Sequence, residues 1–278
     1  VPRELVSHWK LDGDLGDAGA AGNDGVTVVG GVPVFGEDHD GNAESAICLD
    51  GVSDNFVQAV INEDLPIYSN IKFSAFTVAA WVKGLPQSDR RVFSEGSTLS
   101  DTPLFTIGTD NTGTTGAVDV YIRTDANTAP VAHRHSQGIA FDDTWHHIAY
   151  VDSSGQAVLY IDGVPDATDF SYTKGVLTLD VTAIGGVLRA AASYRFQGCI
   201  DDVRVYNYAL SQEEVMDAME GGTIELPKFR RGDSDANGGL NITDGIFTLN
   251  FLFLGGPAPT CREASDANND GQVNITDG

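Results

Sequence analysis

Along residues 1–222, short alternating apolar runs are separated by turns rich in Gly, Asp and Asn. In AVDVYIRTD, Val118, Val120 and Ile122 fall on one face and Asp119, Tyr121 and Arg123 on the other. That period of two predicts a strand. FTVAAWVKG and AVLYIDG read as further strands, the second closing in an Asp-Gly turn. Runs of this length between such turns predict an antiparallel β-sandwich. SQEEVMDAMEGG is the clear helix of this region: Ser211 caps it, Glu214 completes a capping box and Gly221-Gly222 end it. The pattern changes at GIFTLNFLFLGG. Ile246, Phe247, Leu249, Phe251, Leu252, Phe253 and Leu254 make a helix too apolar for exposure, stopped by Gly255-Gly256-Pro257.

An acidic loop flanks that helix on each side. Aligned on their first Asp, one copy runs Asp233, Asp235, Asn237, Gly239, Asn241, Asp244 and the other Asp266, Asn268, Asp270, Gln272, Asn274, Asp277. Side-chain oxygens fall at positions 1, 3, 5, 9 and 12 of each loop, with Gly238 and Gly271 at position 6. Alternate residues of a curling loop point at one centre, and calcium takes about six to eight hard oxygens. Two Ca2+ sites are therefore expected, with Gly239 and Gln272 acting through backbone oxygen. Leu240 and Val273 are expected to anchor the loops in a core.

Composition narrows the partners. Forty acidic against 16 basic residues give a net charge of −24, which makes nucleic acid and anionic membrane poor partners. No apolar run approaches the ~18 residues of a membrane span, so no membrane insertion is expected. The 32 glycines and two methionines fit short strands and tight turns. The N-terminus VPRELVSHWK carries neither Met nor a signal peptide and is expected to be a processed or cut end. Three cysteines leave at least one of Cys48, Cys199 and Cys261 without a partner in the chain.

Five phrases in order, LVSHWKLDG, AICLDGVSDNFVQ, FTVAAWVK, DDTWHHIAYVDSSGQAVLYIDG and FQGCIDDVRVYNYALSQEEV, resemble the laminin G-like, concanavalin A-type jelly roll. The resemblance implies two packed sheets and a role in binding or adhesion, with glycans a frequent target. The paired loops, ending on Asp at position 12 where an EF-hand has Glu, resemble a dockerin type I module. The second helix of a dockerin is absent, so the resemblance implies an incomplete module whose bare helix face meets a partner, another copy of the chain or a further segment. The expected fold is mainly β, a jelly-roll sandwich at 1–222, a linker at 223–231 and a small helical calcium-loop module at 232–278.

Other features invite sharper chemistry. His146 and His147 are neighbours on a strand, so they face opposite sides and cannot chelate together. His133 and His135 share a side but lack an evident third ligand. Asp201 and Asp202 are expected to diverge in the same way, which argues against an acid/base pair. One of them is expected to order the turn LDGDLGDAGAAGNDG. There a third Ca2+ in the β-sandwich and a network of Asx turns are the two alternatives. Cys48 and Cys199 lie in strand phrases and would suit a disulfide if those strands are neighbours. Arg231-Gly232-Asp233 spells an adhesion tripeptide, but Asp233 is expected to face the metal. Asn241 and Asn274 sit in glycosylation sequons and are expected to face metal or water instead. No nucleophile, phosphate-loop or dinucleotide motif is present.

The resulting expectation is a non-catalytic, secreted or cell-surface, calcium-binding recognition protein whose partner is a glycan or extracellular protein. The rival expectation is a structural subunit that self-associates through the 246–254 helix.

Overall fold

The structure is a computed structural model that describes residues 2–222, 230–268 and 270–278. Most of the expected linker, residues 223–229, lies outside the described residues. The chain divides into two compact units, Val1–Ile224 and Glu225–Gly278.

The first unit is a sandwich of two antiparallel sheets. Its strands are β1 (Leu5–Trp9), β2 (Gly25–Thr27), β3 (Phe35–Gly36), β4 (Ala46–Asp50), β5 (Val57–Ala59), β6 (Ala75–Lys83), β7 (Arg91–Ser97), β8 (Ser100–Thr109), β9 (Ala117–Arg123), β10 (Val131–Ile139), β11 (His146–Ser153), β12 (Gln156–Ile161), β13 (Val164–Pro165), β14 (Val181–Ile184) and β15 (Gln197–Tyr206). One sheet has the order β13-β12-β11-β6-β15-β4-β3, with β1 also pairing to β15. The other has the order β10-β9-β8-β7-β14-β5-β2. The Asp162-Gly163 turn joins β12 to β13 with both residues at positive φ, as a two-residue hairpin requires. Helix α1 (Gln212–Met219) carries the expected capping box of Ser211 and Glu214.

The core lies between the sheets. Val118, Val120 and Ile122 of β9 point into it beside Phe93, Phe105 and Tyr150. Phe105 is fully buried, with the rings of Tyr68, Phe76, Phe93 and Tyr150 5.3–6.2 Å away. Each such side chain contributes roughly 1.5–3 kcal/mol by leaving water. Cys48 and Cys199 are directly opposed on β4 and β15 and form a disulfide, while Cys261 is free.

Strand β15 is the hub of its sheet. Its first half, from Gln197 to Ile200, pairs with β4 and its second, from Val203, pairs with β1. Between them its pairing to β6 shifts register across Asp201–Arg204, and Asp202 takes a left-handed φ of 49°. A bulge re-aims side chains that a regular strand would send to opposite faces.

The outer face of the other sheet is covered as well. After β14 the chain turns back at Gly185 and Gly186. A narrow hairpin pinned by bonds between Val187 and Ser193 then lies over β7. Ser94 Oγ donates to Gly186 O at 2.7 Å, and Arg91 N donates to Tyr194 O at 3.0 Å. A side chain at Gly96 would sit 2.5 Å from Leu188 O, so the close approach requires glycine there.

The second unit contains α2 (Ile242–Leu254), α3 (Arg262–Ser265) and a 3-10 turn at Ile275–Asp277. Helix α2 begins four residues earlier than the apolar run at Ile246, because Asn241 and Asp244 of the loop form its capping box. Gly255, at φ 71°, ends it as expected. Among the described residues of this unit, the one buried apolar side chain is Ala264. Asp233, Ser234, Asp244, Thr248, Ser265, Asp266 and Asp277 are buried instead. Leu240 is exposed and Val273 half-buried, so the expected aliphatic anchors do not build a core.

Two buried ionisable groups in the sandwich give opposite pH dependences. Burial pushes the Glu95 carboxyl up to about 7, although it accepts from Ile67 N and Tyr68 N. Its contribution to stability is complete below the ordinary value of 4.5 and is lost as pH rises through about 7. Burial lowers His147 from 6.5 to about 4, so its contribution is complete above 6.5 and is lost as pH falls through about 4. Urea unfolding midpoints measured across this range should lose their downward slope with rising pH in Glu95→Gln. In His147→Gln they should lose the opposite slope. Unchanged slopes in both variants would contradict these assignments.

Candidate functional site

On β9, Asp119, Tyr121 and Arg123 face away from the core, as the alternation predicts. They do not face open water: Arg189 and Tyr194 of the 187–194 hairpin line one recess with Tyr121 and Arg123, and Asp119 is fully buried. Beneath the roof, Arg91 Nη1 donates to Asp119 Oδ2 at 2.6 Å and Arg91 Nη2 to Asp89 Oδ1. His133 Nδ1 lies 3.0 Å from the same Asp119 oxygen, and His135 Nε2 lies 3.4 Å from Asp119 Oδ1. His133 and His135 therefore do converge on a shared acidic partner. It was not evident in the sequence because β9 and β10 pair His135 with Asp119 across the sheet.

Asp89, Asp119 and His133 each bring one ligand atom within 4.8 Å of the others. A divalent ion is nonetheless a poor fit, because the Arg91 guanidinium bridges the two carboxylates and supplies the positive charge. Three residues around this cluster, Asp89, His133 and Tyr194, hold left-handed φ values of 56°, 53° and 51°. Such conformations cost of order 1–3 kcal/mol each and gather at functional sites.

The cluster forms the floor of a groove. An inner recess of about 80 Å³ is lined by Asp89, Arg91, Leu104, Tyr121, Arg123, His133, Arg189 and Tyr194. Through Arg123 and Arg189 it meets an outer cavity of about 390 Å³ that adds Asp101, Thr102, Ala191 and Ser193. Tyr121 stacks on His133 with centroids 4.6 Å apart, and the Arg189 guanidinium lies 5.4 Å from the Tyr194 ring. The groove thus combines aromatic faces with fixed polar donors, the composition of small-ligand sites. The sequence showed Arg123 and Tyr121 on a polar strand face. It gave no signal for Arg189 and Tyr194, which arrive on a hairpin whose path is set by tertiary contacts.

A second cavity, about 490 Å³, opens on the other sheet and includes His8, His39, Asp201, Asp202 and Arg204 in its lining. Here the expectation that Asp201 and Asp202 diverge is corrected. The β15 bulge delivers both to one cavity. His39 Nδ1 meets Asp201 Oδ2 at 2.6 Å, while His8 and Arg204 engage Asp202. Burial pushes Asp201 up, with the Asp202 charge acting in the same direction. Asp202 is held below the usual range despite its burial, by the His8 bond and the Arg204 charge. Among the described residues, neither carboxylate bonds to the Asp-rich turn. That turn is held by Asp17, which accepts from His8 N, Gly19 N and Asn23 N, and by Asp24, which accepts from Asp17 N. His146 and His147 face opposite ways, as expected: His146 bonds Asp162 near the surface, and His147 is buried against Trp81.

In the second unit the two loops share one hydrogen-bond plan. Asp233 accepts from Asn237 N and Gly238 N at 3.0 and 2.8 Å, and Asp266 from Asp270 N and Gly271 N at 3.0 and 2.9 Å. Asp244 accepts from Asp235 N and Asn241 N, and Asp277 from Asn268 N and Asn274 N. Asp233, Asp235 and Asp244 bring one oxygen each within 4.8 Å of one another. Asn241 and Asn274 cap the following helical turns through Thr243 N and Thr276 N, so their side-chain oxygens are engaged by the backbone. Asn237 bonds Asp235, Asn268 bonds Asp270, and Gly239 and Gln272 donate their N–H groups within the loops. Asp233 of the adhesion tripeptide is buried, and Arg231 donates to Glu263 O and Asp266 O, tying one loop to the other.

The family model described as the concanavalin A-like lectin/glucanases superfamily matches residues 61–216, more than half of the chain. A curated relative, adhesion G-protein coupled receptor V1 of Danio rerio, is 23% identical over 141 residues. The match covers 50% of this chain and 2% of the length of that protein. Among solved structures, domain 4 of AbnA, a GH43 extracellular arabinanase from Geobacillus stearothermophilus, in complex with arabinotriose, is similar with a TM-score of 0.56 and 20% identity. The similarity covers 78% of this chain and 99% of that one. The botulinum neurotoxin serotype D binding domain is similar with a TM-score of 0.57 and 13% identity, over 78% of this chain and 51% of that one. At these identities the likeness is one of fold.

The floor of the groove is a load the sandwich cannot lose cheaply. Asp119→Ala leaves Arg91 buried without its main partner and should cost about 3–5 kcal/mol in urea unfolding. Lys72→Ala, which removes a pair with Asp64 at the surface, should cost less than about 1 kcal/mol. Equal costs would contradict the buried-pair assignment.

Proposed function

We propose that this chain, which belongs to the concanavalin A-like lectin/glucanases superfamily, is a non-catalytic extracellular recognition protein that binds a saccharide in the roofed groove of its sandwich and calcium in its C-terminal unit. The groove carries the reading. It presents Tyr121, Tyr194 and His133 as ring surfaces and Arg123 and Arg189 as donors, on strands and a pinned hairpin rather than on a loose loop. Rings and planar donors are what sugar C–H faces and hydroxyls require. The fold supports such a role in domain 4 of AbnA, solved with arabinotriose.

Calcium fits the second unit for a physical reason. Its described interior is anionic and polar, with Ala264 as the buried apolar side chain. Three carboxylates within 4.8 Å repel one another unless a cation neutralises them. Asp233, Asp235 and Asp244 would hold one ion with help from Asn237, Asn241 and the Gly239 carbonyl. Asp266, Asp270 and Asp277 would hold another with Asn268, Asn274 and the Gln272 carbonyl. Bound calcium would supply charge and cross-linking in place of core, the dockerin-like arrangement.

A second reading has its own observation. Helix α2 exposes Ile246, Phe253 and Leu254, the last two at 62% and 80%. A contiguous apolar face of this kind marks an association surface. In this reading the unit joins copies of the chain, or a partner protein, into an extracellular assembly.

Three measurements separate these ideas. Full-length chain probed on an oligosaccharide array should be retained, and Tyr194→Ala should lose retention with its fold intact; no retention on any saccharide contradicts the groove reading. Calorimetry should record calcium uptake that Asp233→Ala and Asp266→Ala each reduce, together with greater protease sensitivity after residue 222; no uptake by the intact protein contradicts the calcium reading. Light scattering in calcium should give a mass above that of one chain, lowered by Phe253→Asp; a clean monomer contradicts self-association.

A further inference from the structure

The groove carries more information than its shape. The chain is strongly acidic, with 40 acidic residues against 16 basic ones, yet Arg91, Arg123 and Arg189 meet in this one place. Arg91 is committed to Asp89 and Asp119. The other two are not committed in this way. Arg123 donates through Nε to Thr102 O at 2.5 Å and through Nη2 to Asp101 O. Among the described residues it has no carboxylate within ion-pair distance. Arg189 donates through Nη1 to Asp101 O at 3.0 Å, and its Nε lies 3.5 Å from the Asp101 carboxylate, which is 67% exposed.

The two guanidinium groups therefore have one largely hydrated carboxylate between them, that of Asp101 beside Arg189. Both are oriented by the same peptide carbonyl, that of Asp101, so they are held side by side before any ligand arrives. A guanidinium has five N–H donors, and neither arginine uses all of them here. Flanking rings at Tyr121 and Tyr194 limit where a ligand can lie. The outer cavity of about 390 Å³ is within the range of small-ligand sites.

We infer that the groove selects an acidic saccharide, whose carboxylate or sulfate group is held between Arg123 and Arg189 while a neighbouring ring lies against Tyr194. This rests on the saccharide reading of the same groove and adds the charge class of the ligand. Paired, preoriented guanidinium groups favour planar or multidentate oxyanions over neutral hydroxyls, and the attraction is screened by salt. A neutral sugar could use the rings but would leave the spare N–H donors to water.

The test uses the full chain in calorimetry with matched pairs: trigalacturonate against its fully methyl-esterified form, and 6-O-sulfated lactose against lactose. The expected result is that at least one acidic member binds about tenfold or more tightly than its neutral match. Which member does so identifies carboxylate or sulfate as the anion. The advantage should shrink as salt rises from about 0.05 to about 0.5 M, a wild-type measurement that needs no variant. It should also vanish in Arg189→Gln. Because Arg123 holds the start of β8, Arg123→Lys is the second variant; it keeps the charge, loses the fork and should retain only part of the advantage. If each neutral sugar binds as tightly as its acidic match and Tyr194→Ala abolishes both, the acidic-ligand inference is wrong and the saccharide reading survives. If no member of either pair binds, both are wrong.

Discussion

A buried ion pair holds together one face of the sandwich. Arg91 lies on the outer face of a sheet, under a hairpin, with its guanidinium on Asp119 and Asp89 and its backbone N–H on Tyr194. Breaking a buried pair strands a charge, so the surrounding structure is constrained to keep all three groups in register. That constraint ties the roof to the sheet, fixes Tyr194 and Arg189 above β9, and fills with protein charge a cluster that otherwise resembles a metal site. The groove is open only where Arg91 is not, between Arg123, Arg189 and the two tyrosines.

The two units solve stability in opposite ways. The sandwich buries aromatic and branched side chains between two sheets and closes β4 onto β15 with a disulfide. The C-terminal unit buries carboxylates and hydroxyls and leaves much of its apolar helix exposed. In a unit of that size with an anionic interior, the proposed calcium would neutralise the buried carboxylates and a partner surface would cover the exposed apolar helix face.

Much of the fold was legible. The two-residue period put Val118, Val120 and Ile122 in the core, and Ser211 and Glu214 fixed the start of α1. Where the sequence reading erred, a specific long-range feature intervened. Asp201 and Asp202 were expected on opposite faces, but β15 changes partners between Ile200 and Val203 and the bulge there brings both to one cavity. Asp119 was read on the polar face of β9, but its burial there was not visible, because Arg91 and two histidines of β10 close over it. The apolar run of α2 was read as a helix with a bare face, and part of it is exposed, but the helix starts inside the acidic loop, four residues before the expected start. The loops themselves were visible because their chemistry is local. The groove was not, because its two sides meet only in three dimensions.

The central claim is that Arg123 and Arg189 jointly recognise the acidic group of a saccharide. Its most direct measurement is the arginine Nε–H NMR spectrum of the full chain titrated with trigalacturonate or 6-O-sulfated lactose. The account predicts that the Arg123 and Arg189 resonances move together and saturate together, while Arg204 on the opposite sheet stays in place. Movement of Arg204 without Arg123 and Arg189 would place the ligand in the other cavity and contradict the account.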